Sequence, residues 1–218
     1  MSAQATDRAA WHTDYADPTS ALSRRLGVVR DQIRRALPFR LRRPFRVLSL
    51  CAGRGDDLIG ALSSYAQADL VQARLIELDQ RNIRAMSRSA CAARLALEIV
   101  QADAGDPTLY QGAAPADLVL LCGVLGNIAD ADAHATVRAM PQLCETGGTV
   151  VWTPSRRPPD LTALLRRVGV RGAGLRGARG RSLQRRCVPL LRRAAAPVLR
   201  SVVHLRSIER RPDQAAGA

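Results

Sequence analysis

The sequence predicts an α/β domain, a mostly parallel sheet flanked by helices, followed by an atypical arginine-rich tail. Three observations carry that prediction. Between residues 45 and 153, short apolar runs alternate with stretches of helical periodicity, the pattern of strands joined by right-handed helical crossovers. Two of the runs, LVLLC and TVVW, are apolar on both faces, as central strands covered by helices must be. Charge divides the chain as well. Of 218 residues with net charge +14, residues 1–46 hold 10 Arg and 4 acids (+6), residues 47–155 hold 7 Arg and 12 acids (−5), and residues 156–218 hold 16 Arg and 3 acids (+13). All 33 cations are arginine, so a GC-rich coding sequence accounts for part of the excess.

The elements follow in order. Asp17-Pro18-Thr19-Ser20 supplies a turn and an N-cap, after which Leu22, Leu26, Val29, Ile33 and Leu37 recur at helical spacing and predict an amphipathic helix over 20–36. Its arginines read as a solvated face opposite that stripe. Pro38 and Pro44 punctuate a basic linker. Strands are then expected at Phe45–Leu50, Leu70–Leu78, Leu97–Gln101, Leu118–Cys122 and Thr149–Thr153, with helices over 56–65, 80–95 and 130–143. Three segments result: a helical segment and linker (1–46), a sheet domain (47–165) and a basic tail (166–218).

Several classes fall away at once. No apolar run approaches the roughly 20 residues that cross a bilayer, and the first residues have no apolar signal-peptide core. Cys51, Cys91, Cys122, Cys144 and Cys187 are odd in number, widely spaced and free of CxxC pairs, which argues against a disulfide framework or a metal site. A reducing, cytoplasmic setting is expected.

In an open parallel sheet, ligands bind beyond the carboxyl ends of the strands. After the first strand comes VLSLCAGRGDD, whose Gly53 and Gly55 frame a tight turn into a helix with N–H groups to offer a carboxylate or phosphate. The second strand ends in ELD, placing Glu77 22 residues after Gly55, near the ~20 expected for a carboxylate that accepts from ribose hydroxyls. Leu58 stands where a dinucleotide fingerprint needs a third small residue, so a nicotinamide cofactor is disfavoured and a smaller nucleoside remains.

Taken together, VLSLCAGRGDD, LIELD, VQADAGD, DLVLLCGVLGNI and TGGTVVW, with WHTDYADPTSALSRRL upstream, resemble the Rossmann-like class I S-adenosylmethionine-dependent methyltransferases, particularly a group of uncharacterised bacterial members. The resemblance spans roughly residues 11–165. It implies that Ala52, Gly53 and Gly55 lie against the methionine part of the cofactor, and that Glu77 holds the ribose. Asp103 and the Ala104 amide would meet the adenine, while Cys122 and Gly123 would face the methyl-transfer site, Cys122 through its backbone. Tyr15 is weighed as a cover over the cofactor but reads better as packing. Ser49 and Cys51 depart from the family pattern, standing where many members have an acid and a first glycine. His12, His134 and His204 are scattered, so no general base is assigned. The acceptor is expected to be a small molecule.

Residues 166–218 do not read as the two further strands, the last pair antiparallel, with which this family normally finishes. From Asp160 to Glu209 the 48 intervening residues hold 12 Arg and no acid. One reading is a nucleic-acid-binding tail, disfavoured because no aromatic residue offers a stacking platform. A second is a solvated helix around Leu190–His204. The third, a hypothesis tested by the nucleotide sequence, is a GC-rich gene read out of frame, which would leave the fifth strand as an exposed edge. A nucleic-acid-binding or RNA-modifying protein on a nucleotide-binding scaffold is the alternative function.

Overall fold

The computed structural model describes residues 20–153 and a strand at Arg171–Gly174. The expectations for His12, Tyr15, His204, the rest of the basic tail and its helix lie outside the described residues. Ser20 caps the first helix, α1 (Ala21–Ala36), by accepting the Ser23 amide at 3.0 Å. The helix stops at Leu37, whose extended backbone (ψ 127°) is what a following proline demands. Then come β1 (Phe45–Leu50), α2 (Asp56–Leu62), β2 (Val71–Glu77), α3 (Gln80–Ala92), β3 (Glu98–Gln101), β4 (Ala116–Leu121), α4 (Asp130–Leu143), β5 (Cys144–Trp152) and β6 (Arg171–Gly174).

The sheet runs β3-β2-β1-β4-β5-β6, and every pairing is parallel. Side chains alternate across it and build two cores. On one face, Val47, Leu75, Leu118 and Leu120 pack under α1, α2 and α3 through Val29, Ile33, Leu58, Leu62 and Met86. On the other, Leu48, Leu50, Val119 and Leu121 pack under α4 through Val137 and Met140, joined by the fully buried Tyr110. The result is a three-layer α/β/α sandwich. No helix among the described residues is long and apolar enough to cross a membrane.

Three features differ from the sequence expectation. First, the α1 arginines are not all solvated: Arg30 Nε donates to the Asp56 carbonyl at 2.9 Å and Arg34 to the Gly60 carbonyl at 3.0 Å, docking α1 on α2. Second, β5 begins at Cys144, five residues before Thr149. It pairs with β4 at Ala116, then shifts register before Leu118, across a stretch where Gly147 takes a left-handed φ of 81°. Third, β6 lies within the tail read as lacking strands and pairs with Thr149–Trp152. It covers β5, so β5 is not the edge of the sheet.

A clamp fixes the amino-terminal edge of the sheet. Asp117, beside the β4 irregularity, accepts from both terminal nitrogens of Arg43 and from the Arg46 amide at 2.9 Å. Burial alone would raise its carboxyl, but these bonds outweigh burial and hold it below the ordinary aspartate value.

Candidate functional site

Strand order reverses between β1 and β4, so the loops leaving these two strands diverge and open a crevice at the carboxyl edge of the sheet, where such folds bind ligands. The loop after β1 winds through three left-handed residues, Cys51 (φ 50°), Gly53 (φ 60°) and Gly55 (φ 67°). The Ala52 amide continues the ladder by donating to the Ile76 carbonyl at 2.9 Å. Beyond it, the Gly53 amide donates to Glu77 Oε2 at 2.7 Å. The other carboxylate oxygen of Glu77 accepts the Asp79 amide at 2.9 Å and faces Asn82 Nδ2 at 3.4 Å. Glu77 is only 8% exposed, and it ties the end of β2 to the glycine loop.

The two glycines do different work. A Cβ on Gly53 would meet nothing within 4 Å, so this part of the loop is open to an approaching ligand. A Cβ on Gly55 would lie 3.0 Å from Met86 Cγ and 3.3 Å from Ile59 and Leu75 side-chain carbons. Gly55 thus faces the core, where it lets α2 press against β2 and α3.

The start of α2, where the sequence offers N–H groups to an anion, is itself occupied by carboxylates. Its first turn carries Asp56 and Asp57, and the Leu58 amide is already taken by Asp57 Oδ1 at 2.7 Å. Two carboxylates there cancel the attraction that a helix N-terminus offers an anion. Asp57 and the Cys122 thiol are near enough to shift each other. Burial pushes the Asp57 carboxyl above its ordinary value, only partly offset by its hydrogen bonds. Burial, then the Asp57 charge, push the Cys122 thiol well up. Cys122 Sγ lies 3.9 Å from the Val151 carbonyl, so its side chain serves packing.

At the end of β3, Asp103 Oδ1 accepts the Gly105 amide at 2.9 Å and shapes a turn. Ala104 is buried, and its carbonyl accepts the Tyr110 hydroxyl. Burial pushes that phenol far above its usual range, so it remains a donor. After β4, both backbone polar groups of Gly123 are engaged: its amide donates to Thr153 Oγ1 at 2.6 Å, and its carbonyl accepts from Asn127 Nδ2. The Gly123 carbonyl keeps a second acceptor position. Asp57, Leu78, Tyr110 and Thr153 had not been singled out from sequence. The signal for Asp57 was present, since it shares a helix face with the fully buried Ala61 four residues on. Leu78, 51% exposed directly after Glu77, offers an apolar surface at the rim.

The carboxyl edge is acidic. Its strand ends and loops carry Asp56, Asp57, Glu77, Asp79, Asp103, Asp106, Asp130 and Asp132 against Arg54 and Arg81. Among the described residues no group of three or more His, Cys, Asp or Glu could hold a metal.

No family model and no curated protein matches the chain. Among solved structures it is similar to an O-methyltransferase family protein from Burkholderia thailandensis (20% identity, TM-score 0.50, covering 66% of this chain and 41% of that one). It is also similar to an S-adenosylmethionine-dependent methyltransferase from Clostridium acetobutylicum (14% identity, TM-score 0.48, covering 67% and 56%). The chain therefore matches about half the length of these structures. The first likeness shows the fold, a Rossmann-like parallel sheet flanked by helices.

Proposed function

We propose that the chain is an S-adenosylmethionine-dependent methyltransferase acting on a small-molecule acceptor in a reducing, cytoplasmic setting. The observation that carries this reading is Glu77, a nearly buried carboxylate at the end of β2 that holds the Gly53 amide. A carboxylate has about four acceptor positions. Two amides take two and Asn82 approaches a third, which leaves room for a ribose hydroxyl. The open side of Gly53 supports the nucleoside beside it, and Asp103 supports the adenine. When bound, S-adenosylmethionine supplies an electrophilic methyl group on a cationic sulfur.

The chain's own residues then bind, orient and exclude water, which is most of what methyl transfer requires of a protein. The acidic edge favours a ligand of net positive charge and repels a phosphate backbone, which supports a small acceptor over a nucleic acid. The test is thermal unfolding with S-adenosylmethionine. Ligand at a hundred times its Kd adds about 2.7 kcal/mol, or about 5 to 10 °C for a chain of this size. No shift at millimolar ligand would reject the assignment.

A further inference from the structure

The loop between α1 and β1, at the edge of the sheet opposite the crevice, is held along its length and yet carries an aromatic ring that the fold leaves outside. The Tyr65 hydroxyl donates to the Pro38 carbonyl at 2.6 Å, and the Leu41 amide donates to Gln67 Oε1 at 2.8 Å. Leu37 is buried, Leu41 packs against the core, and Arg43 is bound to Asp117. Phe39 lies among these anchors and is 102% exposed, so a slack chain does not account for its position. Arg40 and Arg42 beside it, and Arg35 in the last turn of α1, are exposed and belong to none of the ion pairs among the described residues. Leu70, also exposed, precedes β2 at the same edge, one step before the Phe45–Val71 pair. Of the acids at this edge, Asp117 and Glu98 are taken by Arg43 and Arg74, which leaves Asp69 and Glu145 against the three arginines.

A phenylalanine flanked by arginines suits a partner that offers apolar and anionic groups side by side. A nucleic-acid strand does so, but it calls for a groove that tracks its backbone and for successive rings under successive bases. Here a single ring stands clear of the surface, with no second aromatic residue in the 38–44 loop. The interface of an anionic bilayer needs no groove, because acyl chains close around one ring while arginines meet the lipid phosphates. We propose that the 38–44 loop docks the protein on an anionic phospholipid surface, with Phe39 inserted and Arg35, Arg40 and Arg42 on the headgroups. The opposite edge of the sheet supports the same orientation. It is acidic, so an anionic surface repels it, and the crevice is left facing water.

The test uses Phe39→Trp in the full chain. Its emission, after subtraction of the parent spectrum, reports on the loop alone, so binding by the arginine-rich tail is not mistaken for docking. With vesicles of phosphatidylglycerol and phosphatidylcholine in equal parts, the added emission should shift to the blue and be quenched by brominated acyl chains. With phosphatidylcholine alone it should not change. In cosedimentation with the anionic vesicles, Phe39→Ala is expected to weaken partitioning about tenfold. Arg40→Gln with Arg42→Gln should weaken it about tenfold to thirtyfold, at roughly fivefold per arginine. Vesicle binding with unchanged emission from Phe39→Trp would place the contact in the tail and overturn the proposal, as would an equal response to both kinds of vesicle or no vesicle binding at all. Quenching by a single-stranded oligonucleotide, with no response to vesicles, would make the partner a nucleic acid and overturn it too. A dimer in analytical ultracentrifugation that Phe39→Ala abolishes, again with no response to vesicles, would show that a second copy covers the ring, which equally overturns it.

Discussion

Replacing Glu77 by Gln tests whether the carboxylate that links β2 to the glycine loop is a structural tie as well as a ligand group. The two side chains have nearly the same shape, so packing changes little. In the parent, one oxygen accepts the Gly53 amide at 2.7 Å and the other the Asp79 amide at 2.9 Å. A glutamine has one oxygen and one NH2, so in either orientation a donor faces a donor. One charge-assisted bond is lost, worth about 1.5 to 3 kcal/mol. At about 2 kcal/mol, the expected fall in Tm is about 4 to 8 °C for a chain of this size. The assay is thermal unfolding followed by circular dichroism, without ligand and then with S-adenosylmethionine. Glu98→Gln is the matched control: Glu98 pairs with Arg74 at 2.8 Å on the exposed edge strand, where such pairs contribute about 0 to 1 kcal/mol. Glu77→Gln should lose more stability than Glu98→Gln, and should also lose most of the ligand-induced shift. Equal Tm values for Glu77→Gln and the parent would refute the tie. A full ligand shift in Glu77→Gln would refute the ribose role.

The other predictions concern the frame around the site. Gly55→Ala places a side chain at a φ of 67° and 3.0 Å from Met86 Cγ, so left-handed strain of about 1 to 2 kcal/mol adds to overpacking of about 1 to 3 kcal/mol; denaturant titration should show the sum, and an unchanged midpoint would refute it. Tyr110→Phe leaves the buried Ala104 carbonyl without its donor and should cost about 1 to 3 kcal/mol by the same titration. For Asp117 the sign follows from its depressed carboxyl. Its contribution is complete above the ordinary aspartate value, near pH 4, and fades as the pH falls through the lower folded value. Arg43→Ala should therefore unfold at a higher pH than the parent in an acid titration, and its Tm should converge on the parent's once both carboxyls are protonated; identical acid transitions would count against the clamp.

How far the sequence could be read varied with what each residue's backbone was asked to do. Helix α4 falls over 130–143 as expected, because acids open it and Leu143 closes its apolar stripe, with Pro141 accommodated in the last turn. Helix α2 stops at Leu62 rather than 65, since Ser63 turns its hydroxyl back to the Ile59 carbonyl at 2.7 Å and competes with the next turn. Strand β6 was invisible: RGAG has no alternation of apolar and polar residues, and its pairing uses backbone groups that the edge of β5 offers to any extended segment. The positions of Glu77 and Asp103 at the carboxyl edge were legible, because Glu77 closes one strand and Asp103 follows another by two residues. The functions of Gly53 and Gly55 were not separable, because spacing alone does not say which one turns its α-carbon toward the core. Asp57 was missed for a related reason, since two adjacent acids differ only in helical phase.

The hydroxyl of Thr153 has a consequence beyond its own hydrogen bond. It is buried, directly follows the last residue of β5, and fixes the Gly123 amide on the neighbouring loop at 2.6 Å. One atom thus connects the strand leading toward the carboxyl terminus to the floor of the crevice. Replacing Thr153 by Val, which keeps the shape and removes the hydroxyl, would leave the Gly123 amide without that acceptor. The order of the loop after β4 thus depends on a side chain of the neighbouring strand's end and not on its own residues alone.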